Sequence, residues 1–150
     1  MTTPTAAEVL NDLIQINSER ISRYEHSIKL LLAADQELRF LFARVIGESH
    51  HNKITLATEL QAMGEMIDLS YRKPGAVYQF TIQNMPGFGA ETRLSILDNT
   101  EASELAVLRG YDLSLEAEDV AAYLRDVLTA QQCRIKESYN EIKTLKDQMA

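Results

Sequence analysis

Apolar residues along this chain return every three or four positions, the period that lines one face of an α-helix. Leu10, Leu13, Ile14, Asn17, Ile21, Tyr24, Ile28 and Leu31 form a first stripe, with Asp12, Gln15, Glu19 and Arg23 on the opposite, polar face. Thr5-Ala-Ala-Glu8 precedes it as a capping box, which predicts a first helix over about 5–33. A second stripe, Leu38, Leu41, Phe42, Val45, Ser49, Asn52, Leu56, Leu60 and Met63, stops at Gly64, a residue suited to a helix C-terminus, and predicts a helix over about 36–64. A third, Leu94, Leu97, Glu101, Glu104, Leu108, Tyr111 and Leu115, predicts about 92–115, and a fourth, Leu124, Leu128, Gln131, Ile135, Tyr139, Ile142 and Met149, predicts about 118–148. No Gly or Pro divides the last two, but one unbroken helix of that length is unusual, so a turn is placed in 114–119.

The connections carry as much information as the helices. A few residues around Ala34-Asp35 join the first pair, which makes them antiparallel neighbours. Between about 65 and 91 the periodicity breaks at Pro74-Gly75 and Pro86-Gly87-Phe88-Gly89, and the intervening Ala76-Val-Tyr-Gln-Phe-Thr-Ile82 is compatible with a short helix or an extended segment. Two antiparallel hairpins of long helices joined by a long crossover is the connectivity of an all-α, ferritin-like four-helix bundle; simple up-and-down bundles use only short loops. At 150 residues the chain reads as one such domain over 1–150.

Composition narrows the function classes. The chain is 45% hydrophobic and 25% charged, the balance of a globular protein. Fifteen Lys and Arg against 22 Asp and Glu give a net charge of −7, which disfavours nucleic acid and anionic lipid as partners. No basic and apolar leader and no apolar run near the roughly 18 residues that span a bilayer is seen, so neither secretion nor membrane insertion is expected. The single Cys133 lacks the spacing of a zinc or redox motif and suits a reducing cytoplasm. P-loop, dinucleotide-binding, nucleophile-elbow and HExxH patterns are all missing.

Candidate chemistry lies in the polar residues that the stripes turn inward. They are Asn17 and Tyr24 on the first helix, with Glu25 at the margin; Ser49 and Asn52 on the second, with Glu48 and Glu59 at its edge; Glu101, Glu104 and Tyr111 on the third; and Gln131, Ser138 and Tyr139 on the fourth. Inward carboxylates must be paired, hydrogen-bonded or bound to a cation. The favoured account is a structural network in which Asn17, Tyr24, Asn52, Tyr111, Gln131 and Tyr139 compensate Glu101 and Glu104. The alternative is iron, manganese or zinc held by Glu25, Glu48, Glu101 and Glu104, since diiron bundles use one Glu from each of two helices and Glu-x-x-His from each of the other two. Glu48-Ser-His-His51 has that spacing, but the fourth helix has no histidine, and Glu137 and Glu141 fall on its outer face. His50-His51, Cys133 and the Lys136–Lys146 run read as solvated surface.

Asn11-Asp-Leu-Ile-Gln-Ile-Asn-Ser-Glu-Arg-Ile-Ser-Arg-Tyr-Glu25 resembles the first-helix signature of an uncharacterised bacterial four-helix-bundle family, a domain of unknown function within the ferritin-like superfamily. Ile96-Leu-Asp-Asn-Thr-Glu101-Ala-Ser-Glu104 through Tyr111 is similar to that family's third helix, and Gln131 through Asp147 to its last. The resemblance spans about two-thirds of the chain and implies a ferritin-like fold in a bacterial protein. Tyr139-Asn140 stands where the family often carries His-Asp, and Gln15 where it often carries Glu, so two potential ligands are absent. The sequence therefore leads to a non-enzymatic cytoplasmic bundle without a resident cofactor, acting as a homo-oligomer or through a protein partner, with a metal-binding protein as the alternative.

Overall fold

The computed structural model describes residues 4–67, 74–87, 89 and 92–149. Among these residues the fold is all-α: α1 (Ala6–Leu30), α2 (Gln36–Ala62), α3 (Ala76–Gln83), α4 (Arg93–Glu116) and α5 (Ala122–Asp147), with no strand. The third and fourth helices of the sequence reading are α4 and α5. Of the expected crossover, 65–67, 74–87 and 89 are described; 68–73, 88, 90 and 91 lie outside the described residues. The segment left open between helix and extended chain is the helix α3.

Caps set the helix ends. At the start of α1, Thr5 Oγ1 accepts from Glu8 N at 3.2 Å, and Ala6 N donates to Asp119 Oδ2 at 2.7 Å, which ties α1 to the α4–α5 turn. The helix stops at Leu30, three residues short of the expected end, because Leu31 turns extended (φ −76°, ψ 146°) while keeping its side chain in the core. Gly64, at φ 78°, occupies the left-handed region beyond α2 and lets Glu65 N reach Leu60 O. Thr92 and Ser95 form a reciprocal capping box on α4. The α4–α5 turn spans 117–121, later than expected and without Gly or Pro, because Arg125 folds back to hold it: its guanidinium donates to the carbonyls of Leu115, Ala117 and Val120.

The long helices touch in the cyclic order α1, α2, α5, α4. The α1–α2 and α4–α5 pairs contact along their lengths, whereas α2 and α5 meet only sparsely. Arg39, at the start of α2, donates to Ile28 O near the end of α1, and Asn11, near the start of α1, donates to Met66 O beyond α2. Lys146, at the end of α5, pairs with Asp98 near the start of α4. Among the described helices, α3 packs on α1 and α4. That contact corrects the reading of α1 as having a solvated face carrying Asp12 and Arg23. Asp12 is buried and receives Gly75 N at 2.9 Å and Tyr78 N at 3.1 Å, capping α3 from outside the helix. Arg23 is half-buried and donates to Pro86 O at 2.8 Å.

The apolar interior falls into two clusters. One, built on Val9, Leu10, Leu13, Leu56, Leu60, Val107, Leu124 and Leu128, lies toward the start of α1; the other, built on Tyr24, Leu38, Phe42, Val45, Ile96, Leu97 and Ile142, lies toward its end. Between them, near the middle of all four long helices, sit the buried polar residues Asn17, Arg20, Ser49, Asn52, Glu104, Gln131 and Ser138.

The α3–α4 contact is close enough to test. A Cβ added at Gly110 would lie 2.2 Å from Thr81 Oγ1, inside van der Waals contact. Gly110→Ala is expected to lower stability by about 1–3 kcal/mol in urea unfolding, despite the better helix propensity of Ala. Gly110→Ala combined with Thr81→Ala should be no less stable than Thr81→Ala alone; a double variant as damaged as the sum of the singles would place the effect elsewhere.

Candidate functional site

The middle layer is organised by Arg20, which the stripe already positions three residues after Asn17 and four before Tyr24 on the same face of α1. Its side chain is 1% exposed and Glu104 of α4 is 0% exposed. Arg20 Nε donates to Glu104 Oε1 at 2.8 Å and Nη2 to Oε2 at 2.7 Å, the two-pronged geometry in which guanidinium and carboxylate match. The remaining terminal nitrogen, Nη1, donates to Glu48 Oε1 and to Ser49 Oγ, both of α2 and both at 3.1 Å. The Tyr24 ring lies 5.8 Å from the guanidinium carbon and packs edge-on against Phe42, with centroids 5.0 Å apart. One arginine thus joins α1, α2 and α4.

Electrostatics follow from the enclosure. Burial alone would lower the Arg20 pKa, but the charge of Glu104 and the hydrogen bonds to it outweigh burial, and the guanidinium is held protonated more firmly than in water. Burial, then the Glu104 charge, hold the Tyr24 hydroxyl well above its ordinary range against the opposing influence of Arg20.

One step along the long helices, a neutral chain of hydrogen bonds links all four of them. Asn17 Nδ2 donates to Leu13 O at 2.9 Å and to the Tyr111 hydroxyl at 3.0 Å; Tyr111 donates to Gln131 Oε1 at 2.7 Å; Asn52 Nδ2 donates to Asn17 Oδ1 at 3.1 Å. Gln131 Nε2 completes it at Asn52 O, 3.4 Å away. Burial pushes the Tyr111 hydroxyl up to about 12, although its bond from Asn17 and the nearby Arg20 act the other way.

The sequence candidates therefore separate into three places. Asn17, Asn52, Tyr111 and Gln131 are brought together, and Glu104 and Tyr24 adjoin them. Glu101 stands apart: it is half-buried, with Oε2 3.0 Å from Lys146 Nζ, which also reaches Asp98 Oδ1 at 2.7 Å. Hydrogen bonds to Asp98 and Glu101 raise the pKa of that ammonium. Tyr139 is half-buried and Glu25 exposed. Of the four candidate metal ligands, only Glu48 and Glu104 converge, and they converge on Arg20. Among the described residues no group of three or more His, Cys, Asp and Glu side chains is placed to share a metal ion. His50, His51, Cys133, Glu137 and Glu141 are exposed. The expectation that Tyr and amide side chains compensate both carboxylates is corrected: Arg20 compensates Glu104 and Lys146 compensates Glu101, each by a full opposite charge at hydrogen-bond distance.

Comparisons with known proteins add no assignment: no protein-family profile matches the chain, and no curated protein matches it. In the layer itself one guanidinium serves two carboxylates, and its most accessible member is Glu48, with 16% of its side chain exposed. Its chemistry is that of a clamp.

Two outcomes test this geometry. Arg20→Met should cost about 3–5 kcal/mol in urea unfolding, because it strands the Glu104 carboxylate in the interior, whereas Arg20→Met with Glu104→Met should recover most of the loss. A loss in the double variant equal to the sum of the losses in Arg20→Met and Glu104→Met would show that the pair is not coupled. For alkaline pH, the unfolded chain ionises a tyrosine near 10 while folded Tyr111 holds its proton to about 12. Stability present below pH 10 is then lost across that window, by about 1.4 kcal/mol per pH unit for each such tyrosine. Tyr111→Phe should lower stability at neutral pH yet flatten the alkaline decline; an unchanged slope would contradict the assignment.

Proposed function

We propose that this chain is a ferritin-like four-helix bundle, two antiparallel hairpins joined by the crossover that contains α3, belonging to the bacterial family its helices resemble. We infer further that it is a non-enzymatic cytoplasmic protein that works by association, as a homo-oligomer or with a protein partner. The observation that carries this reading is the seat of Arg20. In a carboxylate-bridged metal bundle the inward Glu side chains are compensated by the ions; in this chain a guanidinium occupies the point on which Glu48 and Glu104 converge. A fixed cation of the protein's own supplies the charge and brings no open coordination position and no redox couple.

Association has support on the surface. The ion pairs Arg93–Asp35 and Lys146–Asp98 gather the end of α1, the starts of α2 and α4 and the end of α5 at one end of the molecule. Leu30, Leu32, Phe40, Leu94 and Met149 are all exposed there. Scattered apolar side chains are ordinary on a surface; five toward one end of the molecule support the association reading. Among the described residues no helix is long and apolar enough to cross a membrane, so a bilayer-spanning role for this end has no support.

The reading is tested by two measurements. Light scattering should show mass rising with concentration into the high micromolar range; a strict monomer that also retains no protein in pull-downs would remove it. Anaerobic loading with Fe(II), Mn(II) or Zn(II) followed by elemental analysis should leave substoichiometric metal. One metal or more per chain, lost from Glu101→Ala with Glu104→Ala, would put the metal-binding alternative in its place.

A further inference from the structure

Helix α3 is fastened at both ends by side chains that belong to α1 and α4. At its start, Asp12 of α1 receives the amides of Gly75 at 2.9 Å and Tyr78 at 3.1 Å, and α3 has no side-chain cap of its own. In the turn that follows it, Arg23 of α1 donates to Pro86 O at 2.8 Å and Asn99 of α4 donates to Gly87 O at 2.7 Å. Two of its eight residues, Val77 and Thr81, are buried. Eight residues are also fewer than the roughly 12–15 that an isolated helix needs to persist in water. Off its seat α3 loses its helix, so docking and helix formation are one event. Its departure breaks none of the bonds that join α1 to α4 directly: Arg20 stays on Glu104 and Asn17 on Tyr111.

We propose that α3 is a strap latched by Asp12: residues 75–87 release as a unit while the four long helices stay folded, giving the protein a second conformation in which the seam between α1 and α4 faces solvent. The inference is independent of how the chain associates. Three features favour it. Segments that bury few apolar side chains open at a fraction of the free energy of global unfolding, and α3 contributes Val77 alone to the apolar clusters as a fully buried residue. The latch is an exchange of hydrogen bonds: release returns the Asp12 carboxylate and two helix-start amides to water, which satisfies all of them. The seat on α4 also meets water at little cost, because the buried Ser103, Gly110 and Ser114 present hydroxyls and backbone where Leu or Ile would present hydrocarbon.

Native-state hydrogen exchange of the full chain, at urea concentrations where it stays folded, tests the proposal. The amides of 79–83 should exchange through one shared opening, at least about a hundredfold faster than the slowest amides of the long helices. Asp12→Ala should speed them at least about tenfold, out to Gln83 in the last turn. Gly75→Ala should do the same from the other side of the latch, because a Cβ there would collide with the Asp12 carboxylate. Ile142→Val lies in the apolar cluster to which α3 contributes no residue and weakens both conformations alike. It should therefore speed the slowest amides several-fold and leave those of α3 unchanged. Circular dichroism checks that each variant is folded, and the wild-type pattern decides even if the latch variants are not. Amides of α3 that exchange in step with the long helices, that open one by one, or that follow Ile142→Val would overturn the strap. Fast α3 amides indifferent to both Asp12→Ala and Gly75→Ala would overturn Asp12 as its latch.

Discussion

A full positive charge is held in the middle of this helical protein, and the rest of the structure is arranged around keeping it compensated. Arg20 and Glu104 are 84 residues apart in the chain and meet in two parallel hydrogen bonds, with Glu48 and Ser49 taking the remaining arm. Apolar stripes alone tolerate displacement of one helix along another by a turn, since Leu against Leu differs little from Leu against Ile. A bidentate ion pair does not tolerate it, because a slip of one turn, about 5.4 Å, leaves two buried charges unpaired. The Asn17–Tyr111–Gln131 chain, closed through Asn52, extends the same constraint to α5. The apolar clusters on either side then pack in the register that this layer sets.

Much of this arrangement is legible in the spacing of residues. Thr5, Gly64 and the α1, α2 and α5 stripes place those helices to within a few residues, because caps and periodicity are local properties of the chain. The buried Asn17, Asn52, Tyr111 and Gln131 are also visible as polar positions within apolar stripes. What local patterns miss is partnership. Arg20 occupies a stripe position as clearly as Asn17 does, but an arginine is ordinarily assigned to solvent, and only the arrival of Glu104 from α4 makes its burial sustainable. Asp12 falls on the polar face of the α1 pattern for a related reason: its partners, the amides of Gly75 and Tyr78 at the start of α3, come from a connection with no fixed place in the sequence pattern. The turn at 117–121 carries no Gly or Pro to announce it, and its determinant, Arg125, acts from the helix that follows. In each case the missing information is a contact between distant segments.

The glutamates illustrate how one residue type divides by environment. Glu104 and Glu101 are three residues apart on α4, yet the first faces an enclosed guanidinium and the second a half-exposed lysine near the end of α5. The three-residue spacing that in diiron bundles presents a Glu and a His to the metals here directs two carboxylates to two separate cations. The difference is decided by what α1 and α5 offer opposite them, and not by α4.

Helix α3 has an effect beyond its own contacts. Because Asp12 anchors it on α1 and Gly110 admits Thr81 on α4, it roofs that seam and leaves the opposite one, between α2 and α5, uncovered. Among the described residues the molecule therefore has two unlike sides, one carrying an additional helix and one on which the long helices form the outer layer.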